Sequence, residues 1–239
     1  MSQKNQLQPW KTERFRIAPA DRPRFAAAME QVLDTYQATY DDRHPLICMD
    51  EASRQLLSDA IDTLPLKPGR ARRVDDKYER HGTCSLFLFC DPIGGWRRVG
   101  CRDSRTACDW AEEVRHLLEV DYPDAEWVTP VCDNLNTHNV ASLYKAFDAG
   151  TAGRLRRRLR LVMTPVNGSW LNIAEMELSV MSRQCLGQRR FETKAEMASA
   201  LDDWAKSRNA KKAGTRWQFT TADARVKLRS LYPLPDSDC

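Results

Sequence analysis

Two apolar runs end in an aspartate, "LICMD" at Asp50 and "VTPVCD" at Asp133, and a third stretch, "GSWLNIAEMELSV", carries Glu175 and Glu177. Carboxylates on separate elements have a specific chemical use. Magnesium takes hard oxygen ligands and keeps positions for water and phosphate. Two such ions, placed roughly 4 Å apart, clamp the attacking and leaving oxygens of an in-line phosphoryl displacement. Either aspartate alone has a plainer reading, since Asp favours strand-ending turns where its side chain bonds nearby amides. Helical geometry constrains the glutamates. At about 100° per residue, Asn172, Glu175, Ser179 and Ser182 share an arc of about 80°. Beside it run Leu171, Ala174, Leu178, Met181 and Cys185, an apolar stripe. Glu177 lies about 200° round from Glu175. Only one of the two can face a given site, and the geometry leaves open which.

These side chains need rigid carriers. "LICM" and "EWVTPVC" read as short strands, each delivering its aspartate at its end. Pro130 in the second is awkward, because proline lacks a ladder donor and favours sheet edges. "CSLFLFC" and "WRRVGCR", joined by "DPIGG", read as a hairpin. "LRLVMTP" is a fifth strand. Asp21 as cap, Pro23 in the first turn, and Phe25, Met29, Val32, Leu33 and Tyr36 at helical spacing mark a first helix. A second spans about Arg105 to Val120, burying Trp110, Val114, Leu117 and Leu118. Helical segments follow around 140–147 and 152–159, another starts at Trp170, and Thr193 to Tyr232 is helical with a break near Gly214. "LPLKPGRARRVDDKYERHG" reads as a long loop.

This order predicts an α/β protein with a ribonuclease H-like mixed five-stranded sheet flanked by helices, followed by a helical C-terminal extension. The expected divisions are 1–43, an N-terminal arm and helix; 44–190, the catalytic domain; and 191–239, the extension packed on it.

Composition agrees with a globular chain: 239 residues, 42% hydrophobic and 29% charged. No apolar run nears the roughly 18 residues of a membrane span. "MSQKNQLQPWKTERF" has no apolar core of a secretory signal, so a cytoplasmic, nucleoid-associated protein is expected. The eight cysteines include no C-x-x-C pair and no histidine at zinc-finger spacing, which argues against structural zinc and disulfides. Charge is uneven. Residues 1–153 carry a net −4, residues 154–229 a net +10 and the tail −2. A basic half suits a polyanion. "RLRRRLR" supplies Arg154, Arg156, Arg157 and Arg158 as candidate phosphate contacts, with Arg183 further on; solvated helix arginines would look the same. The tryptophans read as core anchors rather than base-stacking platforms.

"DNLNTH", "TPVNGSWLNIAEMELSVMSRQCL" and "RWQFTTADARVKL", with "CMDEAS", "YERHGT" and "GWRRV" in the same order, resemble bacterial insertion-sequence transposases related to the Tc/mariner group. The similarity runs from about Gln8 to Pro233. It implies a DDE triad of Asp50, Asp133 and Glu175 with two Mg2+ or Mn2+ ions, Asp50 bridging both and the other two each holding one. It also implies His138 and Asn172 in supporting roles, and cleavage at transposon ends followed by strand transfer into target DNA. The implied partners are DNA, a second copy on that DNA, and a separately encoded DNA-binding subunit, because no helix-turn-helix module precedes Asp21. Val166 and Asn167 stand where the family usually has a basic pair. The competing expectation is a truncated copy that binds DNA or a full-length transposase and interferes.

Overall fold

The computed structural model describes residues 21–60, 69, 77–187 and 189–234. Five strands form one sheet in the order β3-β2-β1-β4-β5: β1 Leu46–Asp59, β2 Tyr78–Asp91, β3 Trp96–Arg102, β4 Thr129–Cys132 and β5 Val162–Met163. The first three are antiparallel neighbours, while β4 and β5 join in parallel. The helices are α1 Arg22–Tyr36, α2 Ala107–His116, α3 Ala141–Ala146, α4 Ala149–Arg157, α5 Ile173–Met181, α6 Lys194–Ala210 and α7 Thr221–Lys227. The predicted mixed sheet is therefore present. Among the described residues, no helix is long and apolar enough to cross a membrane.

Strand alternation splits the core into two layers. Leu46 and Cys48 of β1 and Leu86, Leu88 and Cys90 of β2 pack with α1, α5 and α6 on one face. Ile47, Met49, Phe87 and Phe89 pack with α2, α3 and α4 on the other. The face bearing α1 also takes in Leu201, Trp204, Ala224 and Leu231, so the C-terminal helices share the core of the sheet. α1 follows the expected pattern closely: Asp21 caps it by accepting from the Arg24 amide, and Phe25, Met29, Val32, Leu33 and Tyr36 are buried. Full burial of side chains such as Met29 and Leu33 contributes roughly 1.5–3 kcal/mol each.

Three expectations need correction. β1 does not end at Asp50; it continues to Asp59 because β2 stays paired with it from Cys48–Cys90 to Asp59–Tyr78. "YERHG" belongs to β2 rather than to a loop, and the preceding stretch lies largely outside the described residues. The helix expected from Trp170 begins at Ile173, after a single 3-10 turn at Ser169–Leu171. Pro130 is accommodated. It falls between the isolated Val128–Leu159 bridge and the β5 pairing that starts at Val131, so its missing N–H meets a break in the ladder.

Candidate active site

β4 pairs with β1 only as far as Val131–Cys48. Asp50 lies two residues beyond that contact and Asp133 immediately follows the last residue of β4. By alternation Asp50 shares the sheet face of Cys48, and Asp133 that of Val131, the face covered by α5. Glu175 sits in the first turn of α5. The carboxylates sense one another. Burial is the main cause that raises the Asp50 pKa to about 6, and the negative charges of Asp133 and Glu175 push it further in the same direction.

The start of α5 is fastened beside Asp50. Asn172 is 1% exposed; its Oδ1 accepts from the Ala174 amide as the helix cap, and its Nδ2 donates to the Met49 carbonyl at 2.8 Å. Tyr36 Oη donates to the Leu171 carbonyl and accepts from the Ile173 amide. Asn172 thus belongs to the site as a cap and tether, rather than as a residue on the helix face. Glu177 is buried. Arg97 and Arg208 approach it at 2.8 and 2.9 Å, joining β3, α5 and α6. That arrangement leaves Glu175 as the glutamate of α5 exposed toward the site.

His138 is fully buried behind Asp133. Its Nε2 lies 2.9 Å from Glu51 Oε1, and its Nδ1 lies 2.6 Å from Asp133 Oδ1 and 3.3 Å from the Asp133 carbonyl. The short Nδ1 contact is an ion pair, and among the described residues Glu51 Oε2 has no hydrogen-bond partner. Trp110 stacks on the imidazole, with centroids 5.9 Å apart. Burial alone would lower the His138 pKa, but the carboxylates of Asp133 and Glu51 outweigh it and hold the ring at about 9. Glu51 was missed by sequence reasoning. The available signal was its position directly after Asp50, which sends it to the opposite face, where His138 and Trp110 lie.

A divalent cation fits this donor set. The oxygens are hard and Asp50 is crowded by like charge. Among the described residues no three His, Cys, Asp or Glu side chains are gathered around one point; Glu175, exposed in the first turn of α5, is the third carboxylate on this side of the sheet.

The predicted basic contacts divide. Arg158 is corrected: its guanidinium donates to the carbonyls of Leu118, Tyr122, Pro123 and Ala125 and so clamps the chain after α2. Arg154 pairs with Glu119 at 2.9 Å. Arg156 and Arg157 are exposed on or near α4, across the sheet from α5, whereas Arg183 is exposed just past α5 on the triad side.

The mixed five-stranded sheet flanked by helices defines a ribonuclease H-like α/β domain. The DDE superfamily endonuclease family matches residues 45–198, and the chain belongs to that family. The fold is similar to the catalytic domain of Mos1 mariner transposase, with a TM-score of 0.58 at 12% identity over 93% of this chain and 98% of that one. Mos1 in its paired end complex with Mg gives a TM-score of 0.59 at 16% identity over 98% of this chain and 69% of that one. In the paired end complex with Mn the values are 0.54 and 15%, covering 85% of this chain and 62% of that chain. The chain thus spans about three fifths of that longer transposase. No curated protein sequence matches it significantly.

Proposed function

We propose that this chain is the catalytic domain of a bacterial insertion-sequence transposase that cleaves DNA at transposon ends and joins the freed 3′ hydroxyl to target DNA. One observation carries the reading. In a member of the DDE endonuclease family, Asp50 and Asp133 lie just past the end of the parallel β1–β4 pairing, on the sheet face covered by α5, whose first turn carries Glu175. Asp50, Asp133 and Glu175 would hold two Mg2+ or Mn2+ ions, which when bound supply an activated hydroxyl and charge neutralisation at the leaving oxygen. The rest falls to the chain. His138, anchored by Glu51, orients the Asp133 carboxylate, and Asn172 sets the helix bearing Glu175 against β1. Arg183 and the α4 arginines Arg154, Arg156 and Arg157 contribute electrostatic attraction for the DNA backbone.

Mos1 structures of a paired-end complex with a transposon end and of a strand transfer complex support DNA as the partner. A homodimer on DNA, a separate DNA-binding subunit and a nucleoid location complete the proposal. The test is strand nicking with Mg2+ on DNA carrying the element's terminal repeats. Wild type is expected to nick, with Asp133→Ala reduced at least ~100-fold, in keeping with loss of a charge-stabilising group. Equal background from both proteins would sink the catalytic role and favour the interfering one.

A further inference from the structure

Beyond Asp50, the same face of β1 leads into a cleft of about 480 Å³ lined by Arg54, Tyr78, Leu186, Arg189, Arg190 and Phe191. We propose that this cleft is a second phosphate subsite, which grips the sugar–phosphate backbone of DNA engaged at the acidic centre; the inference rests on the reading of that centre as a DNA phosphoryl-transfer site.

Position supports it. Arg54 follows Asp50 by four residues, so strand alternation puts both on one face, about 13 Å apart at ~3.3 Å per residue. Ser182 follows Glu175 by seven residues, roughly two turns and ~10 Å further along the helix. The two rails are joined where the Arg54 guanidinium donates to Ser182 Oγ at 2.5 Å. A spacing of about 13 Å spans roughly four nucleotides of a duplex strand at ~3.4 Å each.

Charge supports it as well. Other arginines held within the protein have anionic partners, such as buried Arg97 with Glu177, half-buried Arg98 with Glu113 and Asp121, and Arg190 of this same cleft with Asp59. Arg158 is the structural exception, engaged by four carbonyls. Arg54 has no carboxylate among the described residues; it bonds one neutral hydroxyl, and its buried Nε has no partner. Arg189 lies over the Phe191 ring and donates to the Cys185 carbonyl, again with no carboxylate partner among the described residues. Two guanidinium groups with no counter-ion among the described residues, in one cleft aligned with the acidic centre, are suited to a phosphodiester.

The experiment is fluorescence anisotropy of a fluorescein-labelled duplex of about 30 base pairs, titrated across a salt series in EDTA so that no cleavage occurs. Arg54→Gln and Arg189→Gln are each expected to reduce the magnitude of the slope of log affinity against log salt by about one. Arg225→Gln, which removes a charge paired with Glu30 on another face, is expected to leave the slope unchanged. Ser182→Ala breaks the tether but keeps the charge, and it too is expected to retain the wild-type slope. Wild-type slopes in both cleft variants, or an equal drop in Arg225→Gln, would overturn the subsite. Binding without metal is independent of nicking. A slope loss alongside absent metal-dependent nicking would defeat the catalytic reading and leave the subsite standing; the reverse result would defeat the subsite alone.

Discussion

Asp50 carries an energetic cost in the metal-free protein. Its carboxyl is raised from 3.8 to about 6, first by burial and then by Asp133, Glu175 and Glu51. Because the folded pKa exceeds the unfolded value, the stability associated with this group is fully present below pH ~4 and is lost as pH rises through about 6. A shift of that size corresponds to at most about 3 kcal/mol. Asp50→Asn is therefore expected to be more stable than wild type at pH 7 in EDTA, by up to about that amount, with the difference vanishing near pH 4. Urea denaturation at both pH values checks this; a difference independent of pH would refute the assignment. The aspartates were legible as strand-borne carboxylates, and the resemblance selected Glu175. Glu51 was not legible, because its role depends on a histidine 87 positions away.

At the scale of elements, helical periodicity separated Glu175 from Glu177 but did not name the partners of the latter. A residue 5% exposed and bridged by two arginines is a core tie between α5, β3 and α6, and the partners Arg97 and Arg208 come from distant segments that no local pattern reveals. The start of α5 was likewise displaced. Asn172 takes extended backbone with φ −79° and ψ 114°, so the helix begins at Ile173, three residues after Trp170, and the amide side chain reaches Met49. Asn172→Ala is expected to destabilise the protein by about 1–2 kcal/mol through the lost cap and an unsatisfied Met49 carbonyl. It should also lower the nicking rate at saturating DNA more than it weakens DNA binding, since it displaces Glu175 and not the basic surface. Urea melts and nicking kinetics at saturating DNA together test this; unchanged kinetics would remove Asn172 from the site.

For the whole molecule, the order of strands along the chain and helix placement were readable because β2 carries a continuous apolar run, a Pro/Gly turn joins it to β3, and helical spacing is strong in α1 and α2. Strand length was not, since the extension of β1 to Asp59 is imposed by pairing with Tyr78–Thr83 rather than by apolar pattern. The three-part division of the chain does not divide the core, because α1, α6 and α7 bury their apolar residues on the same sheet face as Cys48 and Val131. That shared face brings α5 over β1 and β4, and so sets Glu175 on the side of the sheet that carries Asp50 and Asp133; in the proposed function the three form one metal site. Binding of Mn2+, followed by loss of the free-ion signal in electron paramagnetic resonance, tests that claim most directly. Wild type is expected to bind, while Asp50→Asn, Asp133→Asn and Glu175→Gln each weaken binding at least ~10-fold, as expected for loss of a charged ligand. Binding in Glu175→Gln equal to wild type would contradict the account.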